Sequence, residues 1–372
     1  MESTHALSSI DDVLSLIRPS VRDEHAYIVG APSHADVKLN QNESPFDLPV
    51  QLKEELAEAF TRIDANRYPA EQPHDLVQAL AEFDGVDPDG IIVGNGSNEL
   101  TYTFGMAFLD PGTPVVMPRP MFSLYEKVAR ICNADITPVP PREDLTFDAE
   151  AIAKAASETG AVMTVVTTPN NPTGLAMTMD EIEHVVRKAP GIVVVDEAYV
   201  EFNPEGSAVR LLDEYPNVVI LRTLSKGMGL AGVRLGYMIA HPELAHEVMK
   251  SRLPFMVDRF SEEIALALLR RPELLEERVA ALQQSTQDLV QALGEMSGVE
   301  VTPTDANFCI FRTERDADSL QAELLEDGVL VRNMGGYPEL PEYLRVSAGT
   351  KTENKAFLTA LERALHKTDA DS

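Results

Sequence analysis

The residue with the most distinctive chemical setting is Lys226, in the stretch TLSKGMGLAGVRLGY (residues 223–237). Ser225 precedes it, Gly227, Gly229 and Gly232 follow, and Arg234 stands eight positions on. A lysine in a turn cleared of side chains suits three chemistries: a dinucleotide loop, a nucleotide-phosphate loop, or a covalent bond to a carbonyl cofactor. Residues 227–232, GMGLAG, match G-x-G-x-x-G. A dinucleotide fold needs those glycines to open a long helix, with an acid about 20 residues further on. Here VRLGYMIA reads as a strand almost at once, leaving no room for the crossover helix. The run IVVVDEAY resembles the metal-holding strand of a P-loop nucleotidase, but no G-x-x-x-x-G-K-[ST] loop stands upstream.

The covalent reading accounts for more of the chain. An amine that bonds a carbonyl must lie close to it and be free of other partners. Small neighbours admit a flat ring, and Ser225 and Arg234 suit a phosphate. Lysine and phosphate binder together point to pyridoxal 5′-phosphate. That group needs an acid at its ring nitrogen, donors at its phenolic oxygen and a turn of backbone N–H groups at its phosphate. Asp196 closes the apolar run VVVDEAY, and Tyr199 follows it by three residues. Asn171 lies in TPNNPTG after another apolar run, and GNGSNEL (94–100) opens a helix with Gly96, Ser97 and Asn98. Each of these alone is an ordinary cap, turn or loop. Their joint occurrence, in order and at strand ends, carries the reading.

On these residues the chain resembles the fold-type I pyridoxal-phosphate aminotransferases, within the histidinol-phosphate aminotransferase group. The shared motifs are LNQNESPF, NRYP, GNGSNE, PMFSLY, PNNPTG, DEAY, TLSKGMGLAGVRLGY, ANFCIFR and LRVSAGT. The resemblance implies that Lys226 is the Schiff-base lysine and that Asp196 binds the ring nitrogen. It assigns Asn171 and Tyr199 to the phenolic oxygen, and Gly96, Ser97, Asn98, Ser225 and Arg234 to the phosphate. Phe122 stands where the group often has a ring-stacking Tyr; Phe keeps the stacking and loses a hydroxyl. Tyr68 would reach the phosphate of a neighbouring subunit, which implies a homodimer with shared sites. Arg345, Arg332, Tyr27 and Asn42 fall at substrate-binding positions, and Asn171–Pro172 is a candidate cis bond. AYIVGAP (26–32) and PFMVDRFS (254–261) depart from the group's usual residues and leave the amino donor open.

The resemblance further implies the reaction of L-histidinol phosphate with 2-oxoglutarate, a step of histidine biosynthesis. An aromatic amino-acid aminotransferase and a threonine-phosphate decarboxylase are rivals on the same fold. A DNA-binding regulator would need a basic helical segment, and none is present.

The elements that must position these residues are readable from the apolar pattern. Runs at 91–94, 114–118, 161–168, 191–199, 217–224 and 235–240 alternate with helical stretches at 97–109, 121–132, 148–157 and 179–188. Continuous Val/Ile runs predict strands buried on both faces. The fold class expected is therefore α/β, a mainly parallel, mixed sheet sandwiched by helices in a large cofactor-binding domain (residues 46–270). Helices over 259–295, strands near 298–302, 308–313, 329–332 and 343–347 and a final helix from 352 predict a smaller α+β domain (271–372). Residues 1–45 read as an N-terminal arm on the smaller domain or on a partner.

Sixty acidic residues against 31 basic ones give a net charge of −29. Such a surface repels nucleic acid and anionic lipid, so neither is an expected partner. It is read either as a solvated acidic face or as adaptation to high salt, and the salt optimum separates the two. No metal site is expected. Cys132 and Cys309, each in an apolar run, predict buried thiols. The N-terminus has no basic leader and no apolar run approaches a membrane span, so the cytoplasm is the expected location.

Overall fold

The computed structural model describes residues 9–26 and 35–366. Its largest sheet has seven strands: β2 (Ile91–Gly94), β3 (Pro114–Pro118), β4 (Asp135–Val139), β5 (Met163–Thr167), β6 (Ile192–Asp196), β7 (Val218–Thr223) and β8 (Gly236–Ala240), following a short β1 (Val37–Lys38). The strand order is β2-β8-β7-β6-β5-β3-β4. All neighbours are parallel except β8, which runs against both β2 and β7. Hence β2 points the same way as β7, and the carboxyl ends of β2, β3, β5, β6 and β7 share one edge. Strands β5 to β8 are buried at every residue, as strands covered by helices on both faces must be.

Helices form at Val50–Phe60 and His74–Asp84, and the expected ones at Ser97–Phe108, Leu124–Ile131, Ala149–Thr159 and Met179–Lys188. Thr178 and Glu181 close a capping box on the last. Between residues 91 and 270, one strand and one α-helix do not appear among the predicted ones. β4 is an edge strand buried only at Val139 and carrying Pro138, tolerable only where one side of the ladder is unpaired. The helix Pro242–Met249 buries only Ala245 and Val248, too narrow a stripe to read. Only a short 3-10 turn, Ala231–Val233, lies between β7 and β8, so no crossover helix follows the glycines.

A second sheet holds β9 (Val299–Val301), β10 (Phe308–Thr313), β12 (Arg332–Asn333) and β13 (Tyr343–Ser347), all antiparallel, in the order β12-β13-β10-β9. β11 (Val329–Leu330) breaks away at Val331 to pair in parallel with β1. The helix Pro272–Gly294 spans both bodies: Leu275 joins the core of the large sheet, Leu289 and Leu293 that of the small one. The N-terminal segment divides its attachments. Ser20 and the His25 carbonyl hydrogen-bond the helix Leu124–Ile131, while Leu39 enters the small core. Cys309 is buried as expected; Cys132 is half-buried because it caps the end of its helix, and both thiols are free. Among the described residues no helix is long and apolar enough to cross a membrane.

Candidate active site

The carboxyl edge of the large sheet opens into a cavity of about 820 Å³, closed on the far side by Asn40–Glu43 and by residues of β12, β13 and their connecting loop. It gathers Lys226, Asp196, Asn171, Tyr199, Ser225, Arg234, Ser97, Asn98, Phe122, Arg345, Arg332 and Asn42. These come from five strand ends and from the second sheet, as expected for a ligand at the edge of an α/β sheet.

Lys226 sits three residues past β7. Its Nζ makes one hydrogen bond, to the Gln41 carbonyl at 2.9 Å, and lies 5.9 Å from the Tyr199 ring centre. Burial, with the Arg345 charge in second place, lowers its pKa to about 7. The amine is therefore largely neutral in mildly alkaline solution, the form that attacks a carbonyl. The glycine after it has a steric cause: a Cβ on Gly227 would meet the Glu201 side chain at 2.7 Å. Burial raises Glu201 itself to about 7.

Asp196 ends β6 and is 7% exposed. Tyr125 Oη donates to its Oδ2 at 2.7 Å and the Ala198 N–H to its Oδ1 at 3.0 Å. Burial nevertheless raises its pKa to about 6. A buried carboxylate of this kind suits a cationic or N–H partner. The neighbouring Glu197 accepts two bonds from Arg222, at 3.1 and 3.0 Å, and the same guanidinium reaches Asp84. That buried network ties the ends of β6 and β7 to the helix His74–Asp84.

Asn171 follows β5 in a turn pinned by Asn170, whose amide binds Thr167, Thr173 and the Pro120 carbonyl. The Asn171–Pro172 bond is cis, as are Thr168–Pro169 and Arg119–Pro120. Arg345 Nη1 donates to Asn171 Oδ1, which orients the amide and leaves its Nδ2 for the cavity. Arg345 also donates to the Asn40 carbonyl at 2.8 Å and lies over the Phe308 ring. Arg332 and Arg345 are directly paired across β12 and β13, and both line the cavity. Like charges opposed in register are unfavourable unless an anion lies between them.

The helix Ser97–Phe108 begins on the cavity with Gly96 as its N-cap and no side chain closing it. Its first N–H groups, on Ser97 and Asn98, are free of intrahelical partners, an arrangement that attracts anions. Gly96 has φ +73°, and a Cβ there would meet the Arg234 guanidinium at 2.5 Å. Arg234 holds a left-handed φ of +59°, uncommon for a residue other than glycine. Its Nη1 reaches Ser225 Oγ at 3.4 Å, and Thr223 Oγ1 bonds the same oxygen at 2.9 Å. Two hydroxyls, a guanidinium and a helix start thus converge where a phosphate would fit. Among the described residues no cluster of His, Cys, Asp or Glu could hold a metal ion.

Asn42 lines the cavity but spends its amide elsewhere: Nδ2 donates to Tyr199 Oη at 2.9 Å, and Oδ1 accepts from Ser347 at 3.2 Å. Phe122 is half-buried at the cavity wall. Tyr68 stands apart, 82% exposed and stacked on Phe255 at 4.9 Å. Tyr27 lies outside the described residues. The sequence reading missed Tyr125 and the Glu197–Arg222 pair. An acid beside Asp196 and a basic residue inside an apolar strand were the available signals.

The chain matches the family of class I and II aminotransferases over residues 35–361. A histidinol-phosphate aminotransferase of Prosthecochloris aestuarii is 42% identical over 95% of this chain and 98% of its own. Among solved structures, histidinol-phosphate aminotransferase from Sinorhizobium meliloti, in complex with pyridoxal-5′-phosphate, has a TM-score of 0.86 and 26% identity over 94% of this chain and 98% of that one. L-threonine-O-3-phosphate decarboxylase from Porphyromonas gingivalis has a TM-score of 0.79 and 26% identity, covering 89% of this chain and 100% of that one.

Proposed function

Because the chain belongs to the class I and II aminotransferases, we propose that it is a pyridoxal-phosphate-dependent transaminase. It moves the amino group of L-histidinol phosphate to 2-oxoglutarate, giving imidazole-acetol phosphate and L-glutamate in histidine biosynthesis. The observation that carries this reading is the cavity itself. A half-buried lysine with a lowered pKa, a buried acid and an open helix start share it with two arginines paired in register. The curated relatives with 42% identity over nearly the whole chain supply the choice of donor.

The residues fit the cofactor. Asp196 would accept its ring N–H, Asn171 Nδ2 and Tyr199 Oη would donate to its phenolic oxygen, and Phe122 would cover the ring. Ser97, Asn98, Ser225 and Arg234 would hold its phosphate beside Gly96. Asn42 acts through Tyr199, whose hydroxyl it orients. When bound, the group supplies the reactive aldehyde and an electron-withdrawing ring that stores the electron pair left at the donor's Cα. Lys226 would take the proton from that Cα and set it on the cofactor's aldehyde carbon, and in the second half of the cycle run the reverse transfer to the Cα of the acceptor, which a pKa of about 7 allows in both directions. Arg345 and Arg332 bind the donor's phosphate, and the carboxylates of the acceptor after it.

We place the enzyme in the cytoplasm as a homodimer. Tyr68, Phe255 and Leu253, at 82, 45 and 69% exposure, form an apolar face suited to a second copy, from which Tyr68 would reach the partner's phosphate site. Sedimentation of Tyr68→Glu against the native chain tests that face. Purified protein given L-histidinol phosphate and 2-oxoglutarate should form glutamate, and borohydride should fix the cofactor on the peptide containing Lys226. Turnover of phenylalanine with none of histidinol phosphate would overturn the donor. The two-arginine wall would also take O-phosphothreonine, so release of carbon dioxide from that compound would favour the decarboxylase reading.

A further inference from the structure

The cavity wall contains four carboxylates, and three are already engaged. Glu43 pairs with Lys38 at 2.8 Å. Glu126 takes Arg119 at 2.7 Å and Arg130 at 3.0 Å. Asp196 takes Tyr125 and the Ala198 N–H. The fourth is Glu339, whose Oε2 is shut off from water and has no hydrogen-bond partner. Leaving a buried acceptor unpaired is costly, and Glu339 makes no ion pair or hydrogen bond among the described residues, so an unengaged carboxylate in the lining of a ligand cavity signals a donor supplied by the ligand.

Glu339 is also held in place. It lies in the loop joining β12 to β13, where the Met334, Tyr337 and Leu340 N–H groups bond the carbonyls of Tyr343, Met334 and Tyr337 at 2.8–2.9 Å. Met334 and Leu340 on either side are buried against Ile310. Glu339 lies within electrostatic reach of Arg119, which is held above its ordinary pKa chiefly by its bond to Glu126 and in smaller part by the charge of Glu339. Arg119 gives its Nε and Nη2 to Glu126 and offers Glu339 no hydrogen bond.

We propose that Glu339 is a specificity-determining residue that accepts the ring N–H of the donor's imidazole. The inference rests on the function proposed above. With the donor's phosphate taken by the arginines, its one remaining distinctive group is a ring bearing N–H. A carboxylate suits that ring whether neutral or protonated. A phenyl ring in its place leaves the acceptor buried and unpaired, and sites built to hydrogen-bond an N–H reject analogues without one far more strongly than apolar pockets do.

The test compares the two amino donors of the same enzyme, one with the ring and one without. Holoenzyme carrying Glu339→Ala or Glu339→Gln is assayed for kcat/KM with L-histidinol phosphate and, in the reverse direction, with L-glutamate. The ratio of the two should fall by about 10- to 100-fold in Glu339→Ala, mainly through KM, as expected for a lost bond to a charged group. Glu339→Gln, which keeps an oxygen acceptor and nearly the same shape, should recover part of it. Phenylalanine should gain relative to histidinol phosphate in both variants. An unchanged ratio, whether both donors fall together or neither does, would overturn the role of Glu339 and leave it a structural neighbour of Arg119. A native enzyme inert toward histidinol phosphate would instead overturn the proposed function.

Discussion

Asp196 ends β6, and Asn171 and Lys226 stand a few residues past the ends of β5 and β7, three adjacent parallel strands whose registers are locked by continuous ladders. The opposite wall is assembled from distant pieces. Asn42 bonds Ser347 across 305 positions of chain, and Arg345 bonds the Asn40 carbonyl across the same span. The floor inherits its geometry from one sheet, whereas the wall depends on how the second sheet and the segment 40–43 pack over it. The contrast assigns chemistry to the floor and selection to the wall. Substitutions below should lower kcat, and substitutions above should raise KM.

The largest effect should come from the floor. Lys226→Ala removes the proposed covalent anchor and proton carrier together, so turnover should fall by at least about 10⁴-fold, measured as glutamate formed per enzyme. Asp196→Asn keeps the shape but loses the charge and one of the two acceptor oxygens that Tyr125 and the Ala198 N–H use, and should cost about 10²- to 10³-fold in kcat. Tyr125→Phe takes away only the donor to Asp196 Oδ2, and its loss should stay near 10-fold. If either variant changed KM alone, the floor would be acting in binding and the division would fail.

The wall should respond differently. Arg345→Lys keeps the charge but loses the fork that reaches Asn171 and Asn40 together, so kcat/KM should drop about 10- to 100-fold, mostly in KM. Arg332→Lys should cost several-fold less, since Arg332 is less buried and, among the described residues, makes no side-chain bond that fixes its geometry. Equal losses at the two positions would mean that the pair acts as a bulk field and not as a geometric clamp.

The same contrast explains what could be read from the sequence. Floor residues announced themselves because an apolar Val/Ile run ends in a polar residue at each strand end, a local pattern. Asp196, Asn171 and the lysine turn were legible for that reason. Tyr125 was not, because an aromatic in an amphipathic helix reads as core until the fold brings its hydroxyl onto Asp196. Nor was Glu339, a single acid in a loop rich in glycine and proline, whose want of a donor shows only once the chain is folded. Asn42 read as a substrate ligand, yet its amide is spent on Tyr199 and Ser347, a closure between chain ends that no local pattern encodes. β4 escaped notice because an edge strand need not be continuously apolar.

The smallest expected effect is on stability, and it isolates the floor from any chemistry. In protein stripped of cofactor, Asp196 is raised from an ordinary 3.8 to about 6, and Glu201 from 4.5 to about 7. Both bind protons more tightly folded than unfolded, so each loses stability as pH rises from about 4 to about 7. Lys226 is shifted the other way, from 10.5 to about 7. Between those limits the unfolded chain binds the extra proton, so stability recovers as pH climbs from about 7 towards 10. The melting temperature of the stripped protein should therefore pass through a minimum near pH 7, a few degrees deep at this chain length. Lys226→Met, which keeps the length and removes the titration, should abolish the alkaline recovery while leaving the acid limb in place, and Asp196→Asn should reduce the acid limb to the share of Glu201 without touching the recovery. A recovery that survived Lys226→Met would mean that another buried group titrates there and that the amine is not held neutral by its surroundings.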